Sequence, residues 1–130
     1  HDYPGKSTTP LEDYYWLATE YPELKLILAQ WGGLLPFYEL MKGVRKQLKN
    51  VYYDTATTPL LYRPGVYQAV VSVVGPENVM FGSDYPLLIY PSLDKEPGFS
   101  RLLEEIRGSG LASDELDLLL GDNAVRVLSL

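Results

Sequence analysis

Three apolar runs, each closed by a polar residue and joined by helix-compatible stretches, restrict this chain to very few folds. Leu24 to Ala29 ends at Gln30, Asn50 to Tyr53 ends at Asp54, and Asn78 to Phe81 runs into Gly82-Ser83-Asp84. A nearly continuous apolar strand is one buried on both faces, as in a parallel sheet. Parallel neighbours need long crossovers, normally helices of right-handed sense. The predicted order is therefore β-α-β-α-β, an α/β fold with adjacent parallel strands flanked by helices on one face. Common strand direction puts Gln30, Asp54 and Asp84 at one edge of the sheet, the edge where α/β folds bind ligands.

The segments between the runs carry helix signals. Thr9-Pro10-Leu11-Glu12 offers a capping threonine, a proline at the first helical position and a glutamate able to reach back, which predicts a helix from Pro10 to Glu20. Tyr21-Pro22 ends it, because the residue before proline is pushed out of the α region. Trp31-Gly32-Gly33 turns the chain and Pro36 opens a helix expected to reach Leu48. Pro64 opens a third, with Val66, Tyr67, Val70, Val71 and Val74 on one side and Gly75-Pro76 as its stop. Beyond Asp84 lies a proline-punctuated loop, Tyr85 to Gly98. Helices follow from Phe99 to Arg107, after a Ser113 cap, and from Ala124 to Leu128.

Composition excludes several functions. With 46% hydrophobic and 22% charged residues, the 130-residue chain has enough apolar side chains to offset its ordering entropy. A net charge of −6 repels a phosphate backbone, and the short Arg45, Lys46, Lys49 group does not offset it, so nucleic acid is not expected as a partner. The longest nearly uncharged run, Val66 to Met80, is broken by Gly75-Pro76 and is too short for a membrane helix of ~20 residues. Without cysteine there is neither a disulfide framework nor a thiolate site, which leaves His, Asp and Glu as metal ligands and the cytoplasm as the default compartment. The opening His1-Asp2-Tyr3-Pro4-Gly5 carries neither an initiating methionine nor the marks of a leader or tag, and a fragment of a longer protein is expected.

Four stretches are more specific: Leu28-Ala29-Gln30-Trp31-Gly32-Gly33, Val51-Tyr52-Tyr53-Asp54-Thr55-Ala56, Val79-Met80-Phe81-Gly82-Ser83-Asp84-Tyr85-Pro86 and Gly121-Asp122-Asn123-Ala124. Together they resemble strands six, seven and eight and the last helix of the amidohydrolase-related family of metal-dependent (β/α)8 barrel enzymes. The resemblance implies that residues 1–130 are the C-terminal half of a TIM barrel, a fold of about 250 residues and eight βα units. It also implies a divalent metal, typically zinc, a small carbonyl-containing substrate and hydrolysis by metal-activated water; some relatives decarboxylate aromatic acids instead. Asp84 then corresponds to the strand-eight aspartate that ligates metal or takes a proton from metal-bound water. His1 to Lys6 resembles the loop just after strand five, which implies a strand-five metal-binding histidine a few residues upstream; His1 is itself a second candidate ligand. Gln30 stands where many members have histidine; glutamine is no acid or base and a weak ligand, yet it can orient a substrate by hydrogen bonds. The His-x-His pair of strand one is absent from this sequence, whose one histidine is His1.

Other roles compete for the same residues. Asp84 also suits a turn cap after a strand, Gln30 a bridge between loop amides, and Asp54, followed by Thr55 and Thr57, a brace for its own loop. Tyr62 and Arg63 are placed to meet an anionic substrate, though surface placement also accounts for them, and Gly82 suits a tight turn presenting Asp84. A non-catalytic half-barrel associating through open strand edges, with itself as a homo-oligomer or with a partner chain, is the main rival to an enzyme fragment. A flavodoxin-like binding domain fits less well, because no glycine-rich phosphate loop is present.

Overall fold

The computed structural model describes residues 9–130. Its elements follow the order α1 (Leu11–Glu20), β1 (Leu26–Leu28), a 3-10 segment (Gln30–Leu40), α2 (Val44–Gln47), β2 (Val51–Asp54), α3 (Thr58–Leu61) and α4 (Val66–Val74). They continue with a 3-10 turn (Pro76–Asn78), β3 (Val79–Met80), α5 (Ser100–Arg107), α6 (Ser113–Asp117), a π turn (Leu118–Asp122) and α7 (Asn123–Leu128). The three strands form one parallel sheet in the order β1-β2-β3. Leu26, Ile27 and Leu28 register with Val51, Tyr52 and Tyr53, and Tyr53 and Asp54 register with Val79 and Met80. Strand direction, strand order and the helical crossovers agree with the expectation drawn from the apolar runs.

Alternation along the strands divides the core in two. Tyr53 and Val79 face α4 and α5, where Trp31, Leu35, Tyr67, Val70, Leu102 and Ile106 complete the main core, each of the eight fully buried. Tyr52 and Met80 face the other way and meet Val127 and Ala124 of α7. Helices therefore contact both faces rather than one, since α7 returns to the strands' N-terminal ends. There Asn123 donates to the carbonyls of Pro76 and Val79 at 2.7 and 2.8 Å, Arg126 donates to the carbonyl of Glu77, and Lys25 to that of Val127. β1 is not buried on both faces: Ile27 is 43% exposed, because none of the described residues covers the second face at that edge.

Several boundaries differ from those predicted. β1 and β3 are shorter than their apolar runs. Helix α1 begins at Leu11 with Pro10 in the cap position instead of Thr9. The helix expected from Pro36 to Leu48 is broken: a 3-10 segment ends at Leu40, and α2 starts only after Gly43, whose φ of 88° lies in the left-handed region that halts a right-handed helix. The short α3 and the π turn carried no sequence signal. The π turn serves β3, since the Phe81 amide beyond the strand donates to the Leu119 carbonyl at 2.8 Å. No helix among the described residues is long and apolar enough to cross a membrane.

Candidate active site

The C-terminal ends of all three strands open into backbone of unusual conformation. After β1, Gln30, Trp31, Gly32, Gly33 and Leu34 all have positive φ, from 56° to 76°. After β2, Thr57 has φ 57°, and after β3, Asp84 has φ 55°. Each non-glycine residue held there is strained by contact between its Cβ and the backbone, so such turns persist only where surrounding bonds over-determine them. The turn after β1 is held from several sides. The Gln30 amide donates to Asp54 Oδ1 at 2.9 Å, Tyr62 OH donates to the Gln30 carbonyl at 3.0 Å, and Trp31 Nε1 donates to Thr58 Oγ1 at 2.9 Å. Trp31 is fully buried, edge-on to Tyr67 with ring centroids 5.5 Å apart.

Asp54, at the end of β2, binds its neighbours through a single oxygen. Its Oδ1 accepts the amides of Gln30 and, at 3.0 Å, Ala56. Burial pushes its carboxyl above the usual carboxylate range; the two amide bonds pull it down and the nearby Asp84 charge adds to the rise. Gly82 is required at this point: a Cβ there would lie 2.9 Å from Asp54 Cγ and 3.1 Å from the Ala56 amide nitrogen. The Thr55 hydroxyl ties the two loops further, accepting the Gly82 amide at 3.1 Å.

Side chains from all three strand ends meet in one chain of hydrogen bonds. Gln30 Nε2 donates to Thr57 Oγ1 at 3.3 Å, and the Thr57 hydroxyl donates to Asp84 Oδ2. The structure thus brings Gln30 and Asp84 together at one mouth, with Asp54 beside them as a brace between loops. Arg63 is exposed, in the link between α3 and α4 next to Tyr62, and makes no ion pair among the described residues. His1 lies outside the described residues. Thr57 joins Gln30 to Asp84, a role that sequence reasoning gave it no part in; the run Thr55-Ala56-Thr57-Thr58 directly after a strand was the available signal.

A parallel α/β sheet whose strand ends gather a carboxylate, an amide and a hydroxyl defines the class as an α/β protein with a polar site at the strand mouth. The model of the amidohydrolase family matches residues 3–130, and the chain belongs to that family. A solved structure, the 5-carboxyvanillate decarboxylase of Sphingomonas paucimobilis, is similar in fold, with a TM-score of 0.70 at 20% identity over 92% of this chain. The chain spans 39% of the length of that decarboxylase.

Members of this family generally use a divalent metal. The described residues do not fit one by themselves: no three His, Asp, Glu or Cys side chains stand close enough to hold an ion. Asp84 is exposed and offers a carboxylate, whereas Asp54 already gives one oxygen to two amides. A hydrolytic zinc site takes about three protein ligands and an open position.

Proposed function

We propose that this chain is the C-terminal half of a TIM-barrel enzyme of the amidohydrolase superfamily, acting on a small carbonyl-containing substrate. The observation that carries the proposal is the convergence of Gln30, Thr57 and Asp84 at the C-terminal ends of three parallel strands, where barrels of this kind do their chemistry. Asp84 is the acid–base residue: with Oδ2 occupied by the Thr57 hydroxyl, Oδ1 remains to accept a proton from the nucleophile. Gln30 orients the group rather than exchanging protons, and Arg63 offers a positive charge to an anionic part of the substrate. The divalent metal that the family generally uses, zinc in this reading, requires ligands beyond those described, with His1 as one candidate. Hydrolysis and decarboxylation both suit this arrangement.

The test is a screen of the full-length protein containing this chain, supplied with zinc, against small esters, lactones, amides and aromatic carboxylic acids. Turnover of one class that falls at least about 100-fold in Asp84→Asn is expected, the size typical of a lost acid–base group. Turnover unaffected by that substitution removes the assignment. Glutamine at position 30 and the 43% exposure of Ile27 favour a second reading, a non-catalytic half-barrel that pairs with another chain or a second copy through the open side of its sheet. No turnover in the screen, together with a dimer in sedimentation, supports it.

A further inference from the structure

Thr57 is held in a conformation that its local structure does not explain. It occupies the cap position of α3, where a threonine hydroxyl ordinarily accepts a free helix amide, yet it makes no such bond. Its φ of 57° is rare for any residue with a Cβ and rarer for a β-branched one. It is 5% exposed, so solvent does not compensate. A short helix that forgoes its side-chain cap and strains its cap residue is doubly disfavoured, and both features turn the Thr57 hydroxyl toward Asp84.

The chain of donors has a fixed polarity. The Gln30 amide nitrogen can only donate, so it occupies a lone pair on Thr57 Oγ1 and leaves that hydroxyl's hydrogen for Asp84 Oδ2. Asp84 itself is exposed and stands on a positive-φ turn leading into an exposed Tyr85. Among the described residues, Thr57 supplies the only side-chain hydrogen bond to its carboxylate. We propose that Thr57 is a positioning residue for Asp84: its hydroxyl, oriented by Gln30, selects one Asp84 rotamer and fixes which oxygen stays available for chemistry. This rests on the reading of Asp84 as the acid–base residue. It adds that strain at Thr57 is retained to keep that carboxylate in place.

The experiment measures three-bond scalar couplings that report Asp84 χ1 in the isotopically labelled full-length protein containing this chain, as wild type, Thr57→Val and Thr57→Ser. Valine keeps the β-branch and the shape but removes the hydroxyl; serine keeps the hydroxyl. A single-rotamer pattern in wild type and serine that is lost to rotamer averaging in valine is expected, and an unchanged Asp84 in valine overturns the proposal. Should the valine variant not fold, the wild-type hydroxyl decides. A slowly exchanging Thr57 hydroxyl proton showing cross-relaxation with Gln30 and Asp84 supports the chain of bonds, and rapid exchange with water rejects it. In the full-length protein, Thr57→Val should lower kcat by about 10- to 100-fold with KM little changed, and serine should restore it. A rotamer effect together with a silent Asp84→Asn separates failure of the catalytic reading from failure of the positioning role.

Discussion

Glu39 gives the sharpest stability prediction, because it is an acid held partly inside the protein against its preference. It lies near the end of the 3-10 segment, half-buried, with Tyr53 OH donating to its Oε1 at 3.3 Å. Desolvation raises its carboxyl from an ordinary 4.5 to about 7, while the Tyr53 bond and the Arg45 charge pull the other way and lose. Burial likewise raises the phenol of Tyr53, with the Glu39 charge and its hydrogen bond adding to the rise, so this partner stays neutral. An acid whose pKa is higher folded than unfolded binds more protons in the native state between those two values. Its stabilising effect is complete below pH 4.5 and is lost as the pH rises through about 7. At about 1.4 kcal/mol per pKa unit the full displacement is worth about 3 kcal/mol. Solvent screening at a half-exposed site reduces this to about 1–2 kcal/mol. Glu39→Gln keeps the shape and an acceptor for Tyr53 and removes the charge. It should match wild type at pH 5 and exceed it by about 1–2 kcal/mol at pH 8, measured by urea unfolding at four pH values. Taking the difference between the two proteins cancels the contribution of Asp54, whose carboxyl is also raised. A difference that stays constant from pH 5 to pH 8 refutes the reasoning.

Asp54→Ala leaves the Gln30 and Ala56 amides without their acceptor. Each orphan costs about 1–3 kcal/mol when fully buried, and partial burial puts these two near the low end, so a loss of about 2–3 kcal/mol in urea unfolding is expected, and a loss under about 0.5 kcal/mol shows that Asp54 is no brace. Titration of the 130-residue chain with zinc, followed by calorimetry, should give no site tighter than micromolar, because one free carboxylate leaves most of the coordination sphere to water. Submicromolar binding at a single site, abolished by Asp84→Asn, contradicts this and requires ligands from a second copy or from residues outside positions 9–130.

How much of this was legible in the sequence depends on how far each feature reaches along the chain. The parallel sheet was legible because continuous apolar runs and helix starts are local signals, and a shared strand direction then places Gln30, Asp54 and Asp84 at one edge without further information. The left-handed turn after β1 was not. Gly32-Gly33 marks a turn, but nothing local forces Gln30, Trp31 and Leu34 to positive φ. The bonds that hold them come from Asp54, Thr58 and Tyr62, which lie 24, 27 and 32 positions from their partners in the sequence. Thr57 is hidden for the same reason: in the sequence it is a loop threonine beside Asp54, and only the tertiary structure turns its hydroxyl to Asp84, 27 positions away. The segment after β1 illustrates the reverse case: Pro36 carries a helix-start signal, yet it lies inside the 3-10 segment, which ends in extended backbone at Met41, and α2 begins only after the left-handed Gly43, a local preference that an apolar count does not weigh.

The same contrast bears on function. Local signals built a sheet that brings residues to an edge, whereas the bonds between strand ends are non-local, polar and strained. Strain that long-range bonds maintain at three adjacent strand ends is a cost to folding; at Trp31 burial in the main core offsets it, whereas the exposed Asp84 and the half-buried Gln30 gain little packing in return. Selection for stability alone would place glycine or asparagine at these turns. Thr57 and Asp84 in left-handed backbone, with Asp54 binding two loops through one oxygen, fit a mouth shaped to hold a carboxylate in a defined orientation, and that is the geometry an acid–base residue needs before any substrate arrives.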